Sequence, residues 1–326
     1  METVSLTVAL ERYERHLPLI DGRVAPPKGF RLDLLEVGQE GEQRHGRHRH
    51  ERMLGDGAFD IAEVSLSSYL MARDRGLPFT AVPVFPRRLF SQMQMFVRAD
   101  SPIRAPRELA GKRVALQSFQ TTLAVLAKGD LAFAYGVPWR SITWHVRDHE
   151  TVALPSGMDA KIVRVPRTTD LPSLLAEGEV DALFYSRYPQ SPNAPPGRIR
   201  RLFPDPAGEA LGYFRRYGWF PVMHVLALKQ GVADANPTLP AALVSWHDAA
   251  LEVCRMAYED PAWLFLPFGR LAYETTLAEF GADPWPSGLR ANRPYLARFI
   301  EYSRDQQLIA RSFAPEELFH ESVLDT

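Results

Sequence analysis

The chain has 326 residues, of which 46 % are apolar and 24 % charged, with a formal net charge of -1 and a single cysteine, Cys254. This composition describes a folded globular protein of more than one usual domain, and it excludes whole-chain disorder. It also excludes a global field that would draw in nucleic acid or an anionic membrane, an intramolecular disulfide framework, and any multi-cysteine metal centre.

The N-terminus, "METVSLTVALERYERHLPLIDGR", has no basic leader region, and charges at Glu11, Arg12, Glu14 and Arg15 break its apolar run. It does not read as a secretory signal, and no stretch of about 18 apolar residues is available to span a membrane. The expectation is a soluble, cytoplasmic protein.

In chain order, "VSLTVAL" and "FRLDLLEV" read as the first two strands, being rich in apolar and β-branched residues. The stretch "EGEQRHGRHRHERMLGDGAFD" reads as a polar helix closed by Gly55 and Gly57, and "DIAEV" as the next strand. Two more strands follow in "LPFTAVPVFP" and "MQMFVRA". The strand "KRVALQ" then leads into a helix-period run that ends at Gly136. "KIVRVP", "LPSLLAEGEV" and "DALFYSR" repeat the strand, helix, strand alternation of an α/β fold. "YGWFPVMHVLALK" looks like a strand returning to the first lobe, and the remainder reads as mostly helical.

A lobe that begins, an inserted second lobe and a return predict a two-lobed α/β fold with a cleft between lobes and a helical C-terminal part. The expected boundaries are 1–98 for the first part of lobe 1, 99–216 for lobe 2, and 217–326 for the return to lobe 1. The ligand site of such a fold lies where strand ends and helix starts face each other across the cleft.

Two stretches suit that place. In "FDIAEVSLSSYL", Ser65 stands as a helix N-cap with Ser67 and Ser68 in the first turn; in "LQSFQTTLAV", Ser118, Gln120, Thr121 and Thr122 open a second helix. Helix starts offer unpaired N–H groups and a positive dipole end, so one from each lobe predicts a small anion gripped from both sides. Arginines just past strand ends, Arg87, Arg88 and Arg187, offer the paired donors a carboxylate accepts, with Arg187 favoured. His224, in an apolar strand where the chain crosses between lobes, and Glu63 are the candidate proton carriers. The run "RHGRHRHER", with His45, His48 and His50, has no spacing that puts all three on one helical face, so it reads as a solvated basic face and no metal site is expected. There is no P-loop, no strand-linked GxGxxG and no GxSxG elbow.

The segments "FDIAEVSLSSYL", "AVPVFPRRLF", "LAGKRVALQSFQTT", "YGWFPVMH", "WPSGLRANR" and "FAPEELF" resemble, in this order, the 4,5-dihydroxyphthalate decarboxylase family, whose fold is similar to type II periplasmic binding proteins. The resemblance covers nearly the whole chain. It implies loss of one carboxylate from 4,5-dihydroxyphthalate to give 3,4-dihydroxybenzoate, without a cofactor, in the cytoplasm. Arg87 and Arg187 would then clamp carboxylates, Ser65, Ser67, Gln120 and Thr121 would contact substrate, and Glu63 or His224 would move protons. The expected partner is a small aromatic carboxylate, with homo-oligomerisation left open. The chain departs from the family pattern at Gln92, at Ser118 and Phe119, and at "HVRDHE", which stands where a glycine pair is expected. Those departures leave the substrate open, and two alternatives remain: a small-carboxylate-binding protein without catalysis, and another lyase on the same fold, such as those of menaquinone synthesis.

Overall fold

The structure is a computed structural model and describes residues 3–192 and 195–326. Strands β1 (Val4–Leu10), β2 (Phe30–Glu36), β3 (Ile61–Ser65) and β4 (Phe79–Val82) share one sheet. A second sheet holds β5 (Met95–Arg98), β6 (Arg113–Leu116), β7 (Thr143–Arg147), β8 (Lys161–Val165), β9 (Ala182–Phe184) and β10 (Ile199–Arg201). The chain then returns through β11 (His224–Lys229) to the first sheet, giving the orders β2-β1-β3-β11-β4 and β10-β5-β9-β6-β7-β8. This is the two-lobed α/β architecture that the alternation predicts.

β3 is buried along its whole length, which explains why "DIAEV" lacks a solvent face in its sequence. Its antiparallel neighbour β11 sets His224 opposite Ser65 and Leu226 opposite Glu63. Alternate residues of a strand share a face, so Glu63 and His224 become diagonal neighbours on one side of the sheet.

Three elements differ from expectation. β5, which a boundary at residue 98 assigns to the first lobe, pairs with β9 and β10 in the second sheet. The polar stretch after β2 is helical only over Arg49–Leu54; its earlier part turns, with Gly46 at φ 104° and His48 at φ 62°. Left-handed backbone is costly for a residue with a Cβ, and it stops the helix from extending backwards. β7, which the strand assignments above leave out, lies between β6 and β8.

A continuous apolar core links the two lobes, joining Val64 and Val225 of the first sheet to Val114 and Phe184 of the second. The helices Thr122–Tyr135 and Leu289–Asp305 approach closely, because a Cβ at Gly129 would stand 2.2 Å from the Tyr302 ring. Beside this contact Asp130 is buried and accepts hydrogen bonds from Ser91 Oγ (2.5 Å), Tyr213 OH (2.9 Å) and Tyr302 OH (3.2 Å). These partners tie together both crossings between the lobes. Among the described residues, no helix is long and apolar enough to cross a membrane.

Candidate functional site

The helix starts fall where the sequence puts them, but they hold each other. Ser65 precedes the helix Leu66–Asp74, and its side chain makes no cap; its Oγ lies 2.8 Å from Thr122 Oγ1, at the start of the second-lobe helix. The backbone N–H of Ser67 donates to the same Thr122 oxygen at 3.2 Å, and Ser68 Oγ donates to Gln120 Oε1 at 2.9 Å. The second helix start is also occupied from within. Glu150 accepts from the backbone N–H groups of Phe119 (3.0 Å) and Gln120 (3.3 Å) and from the Ser118 hydroxyl. The expected anion between two helix starts is therefore replaced by a direct hydroxyl contact and by the chain's own carboxylate. Glu150 belongs to "HVRDHE", so two of the departures from the family pattern are one local structure.

Behind Ser65 lies a buried ionic cluster. The Glu63 carboxylate has no exposed surface and accepts hydrogen bonds from Tyr13 OH (3.0 Å) and His224 Nδ1 on Oε1 and from the Glu11 backbone N–H (3.1 Å) on Oε2, while Arg49 Nη2 forms an ion pair with Oε2 at 3.3 Å. Arg49, equally buried, also donates to Glu63 O (2.8 Å), Glu11 Oε2 (3.0 Å) and Val37 O. Two buried charges survive there because each is paired and hydrogen-bonded. Burial works to raise the Glu63 carboxyl, but the Arg49 charge and the His224 hydrogen bond outweigh it and hold the group well below the usual carboxylate range. Burial brings His224 down to about 4, against the pull of Glu63. At neutral pH the pair is thus a carboxylate and a neutral imidazole, which donates its Nδ1–H to Glu63 and keeps Nε2 as an acceptor. Such an arrangement orients a base.

His224 opens onto an inter-lobe cavity, whose wall also includes Ser65, Arg87, Thr121 and Gln117. Its free volume is about 30 Å³, room for a water-sized group. Arg87 crosses its wall with Nη1 3.3 Å from Gln39 Oε1 and Nη2 3.4 Å from Ser186 O. A larger chamber of about 250 Å³ adjoins it, sharing Gln39, Gln117 and Thr121 and walled further by His50, Arg147 and Arg167. The two spaces are inner and outer parts of one cleft.

Of the residues singled out in the sequence, Ser65, Arg87, Thr121 and His224 meet on the inner cavity, with Glu63 directly behind His224. Ser67 and Gln120 are buried in the contact between helix starts and lie on neither wall. Arg187 is exposed and also lies on neither wall; its guanidinium stands near Gly41, close in sequence to the chamber-lining Gln39 and Glu40. Arg88 is fixed internally, donating to Phe220 O, Pro286 O and Asn292 Oδ1. Asn292 of "WPSGLRANR" thereby holds the segment between β4 and β5, where Arg88 bridges to Val222.

The run "RHGRHRHER" is the main correction. Arg49 and His50 are buried, not solvated, and His48, His50 and Glu51 wall the outer chamber. Glu51 Oε2 stands 3.2 Å from His48 Nδ1, and Glu51 Oε1 meets His149 Nε2 across the cleft. The signal that could have found them is the strong break after Gly46, which shortens the helix and turns its start inward. Among the described residues, no group of three or more His, Cys, Asp or Glu side chains could hold a metal ion.

Residues 36–155 match the profile of the family described as ABC transporter, phosphonate, periplasmic substrate-binding protein. The alkanesulfonate-binding protein from Xanthomonas axonopodis pv. citri, solved with MOPS, shares the fold at a TM-score of 0.59 and 16 % identity, with 98 % of this chain and 99 % of that one covered. A 4,5-dihydroxyphthalate decarboxylase from Comamonas testosteroni is 31 % identical over 100 % of this chain and 99 % of its own length. Another of that name from Pseudomonas putida is 30 % identical over 66 % of this chain and 83 % of its own. With a relative of such identity spanning the whole chain, a binding-protein fold and a buried carboxylate–histidine pair on its cleft, the chain belongs to the 4,5-dihydroxyphthalate decarboxylase family.

Proposed function

We propose that the protein is a carboxy-lyase that removes one carboxylate from a hydroxylated aromatic dicarboxylic acid, with 4,5-dihydroxyphthalate as substrate and 3,4-dihydroxybenzoate and carbon dioxide as products. The observation that carries this reading is His224, held by the buried Glu63 and facing an inter-lobe cavity beside Arg87.

Direct loss of carbon dioxide from a benzoate would leave an in-plane aryl anion that the ring cannot delocalise. Protonation of the carboxylate-bearing carbon avoids it. His224 Nε2 takes the proton of the hydroxyl para to that carbon, and the developing phenolate pushes electron density across the ring. A proton from solvent forms a new C–H bond there, the C–C bond to the carboxylate breaks with its electron pair passing into the ring to restore the aromatic phenolate as carbon dioxide leaves, and the His224 imidazolium returns its proton to the phenolate oxygen. Overall one proton replaces the lost carboxylate. Arg87 supplies positive charge to the substrate's anionic oxygen, and Ser65 and Thr121 supply hydroxyl donors. Glu63 orients His224, while Ser67 and Gln120 hold the helix starts that carry those hydroxyls.

The test is to incubate the purified protein with 4,5-dihydroxyphthalate and follow 3,4-dihydroxybenzoate by liquid chromatography. Product in proportion to protein, lost in His224→Gln, supports the reading. A folded protein that binds the dicarboxylate and releases no carbon dioxide supports instead the second reading, a carboxylate-binding protein, which rests on the binding-protein profile over residues 36–155.

A further inference from the structure

The inner cavity holds the base but has no room for a ring. Its 30 Å³ admits one small substituent, whereas the adjoining 250 Å³ is on the scale of a small-ligand pocket. The outer chamber carries its own chemistry. His50 is only 4 % exposed, yet it lies on this wall and its Nε2 has no hydrogen-bond partner, an arrangement that costs stability unless something else uses the group. Its ring stands at 88° to the His224 ring with centroids 4.9 Å apart, so the two imidazoles join the chambers from the first-lobe side. Arg147 anchors its Nε on Thr169 O at 2.9 Å and lines the chamber from the second lobe with Arg167. Two carboxylates, Glu40 and Glu51, share this wall with the two arginines, and Glu51 is in contact with His149 Nε2 and His48 Nδ1. His48 keeps its left-handed backbone at the same wall, and strain of this kind persists where the surroundings enforce it.

We propose that the substrate straddles the two chambers: the ring and its paired carboxylates lie in the outer one, against Arg147 and His50, and a ring hydroxyl passes the waist formed by Gln39, Gln117 and Thr121 to reach His224. This placement rests on the decarboxylase reading for the identity of the ring, and it adds what that reading leaves out. It makes the outer chamber the part of the site that selects an aromatic acid with two adjacent carboxylates, and it gives His50 direct contact with substrate. Arg87, at the inner end, faces the hydroxyl as it ionises.

The experiment is calorimetric titration of the full-length protein with phthalate and with benzoate, in wild type, Thr151→Trp, Arg147→Met and His50→Gln. Thr151 lines the outer chamber and not the inner cavity, so an indole introduced there takes space from the outer chamber. The expected result is tighter binding of phthalate than of benzoate by the wild type, and phthalate affinity reduced 100-fold or more in Thr151→Trp. In Arg147→Met the preference for phthalate over benzoate should fall at least tenfold. With 4,5-dihydroxyphthalate, His50→Gln should lower kcat more than it raises KM and should change the pH profile of kcat, which a merely structural loss would leave in place. Arg147→Met keeps the placement testable where Thr151→Trp does not fold. Phthalate affinity and selectivity unchanged in both Thr151→Trp and Arg147→Met would overturn the placement, as would absence of phthalate binding by the wild type. Wild-type protein that binds phthalate through Arg147 but produces no 3,4-dihydroxybenzoate would support the placement and overturn the decarboxylase reading instead.

Discussion

Replacing Glu63 with Gln tests the cluster that holds the base. One carboxylate oxygen accepts from Tyr13 OH and His224 Nδ1; the other accepts from the Glu11 N–H and is ion-paired with the Arg49 guanidinium. An amide keeps one accepting oxygen, so in either orientation its NH₂ faces two donors and satisfies neither. Arg49, without exposed surface, is left with Glu11 as its single ion-pair partner at 3.0 Å. Breaking a buried pair on one side costs about 3–5 kcal/mol. Guanidinium chloride unfolding at pH 7, followed by circular dichroism, should therefore show a loss of that size. In the folded fraction, kcat on 4,5-dihydroxyphthalate should fall by about 10²–10⁴, because His224 loses the carboxylate charge that holds its tautomer and stabilises the imidazolium formed when it takes a proton. A variant within about 1 kcal/mol of wild type and with kcat unchanged would refute both the pairing and the assignment of His224 as an oriented base.

Three further outcomes follow from the geometry. Arg87→Ala should lower kcat on 4,5-dihydroxyphthalate about 10- to 100-fold, the worth of a charge-assisted hydrogen bond to the ionising hydroxyl, while leaving the dissociation constant of phthalate, which has no hydroxyl, within about threefold of wild type; Arg187→Ala, off both walls, should change neither by more than about threefold in the same assays. Burial holds the Asp130 carboxyl up at about 7, so the folded state binds more protons than the unfolded one between the ordinary carboxylate value and pH 7, and this group's contribution to stability falls as pH rises through that window. Asp130→Asn keeps an acceptor for both tyrosines and no longer ionises, so thermal scans should show it gaining stability over wild type at pH 8, by up to about 4 kcal/mol, and gaining less than about half of that at pH 5. Glu150→Ala removes the carboxylate from the amides of Phe119 and Gln120, at a cost of about 2–3 kcal/mol; added sulfate should then raise the melting temperature of the variant more than that of wild type.

The strand and helix alternation was legible because it is written in local periodicity: β1, β2, β6 and the return strand β11 all lie inside segments whose apolar pattern marks them, and β3 overruns its segment only at Ser65. Ser65, Thr121, Arg87 and His224 could be singled out for a related reason, since they stand at strand ends and helix starts, which face the cleft in a fold of this class. Arg49 and His50 were not legible. In sequence they belong to a run of charged and imidazole side chains, and only the left-handed turn at His48 and the packing of the short helix against β3 bury them.

The sequence by itself determined the two-lobed alternation, the return strand and the presence of hydroxyls at both helix starts, because each depends on residues within a few positions of one another. The tertiary structure decided what those groups touch. Glu63 and His224 are 161 residues apart, Ser65 and Thr122 are 57, and Glu150 reaches back 31 residues to the Phe119 amide. Whether a helix start meets a ligand, a hydroxyl or the chain's own carboxylate depends on which long-range partner arrives in the low-dielectric interior, where a polar group left unpaired costs more than almost any local preference can return.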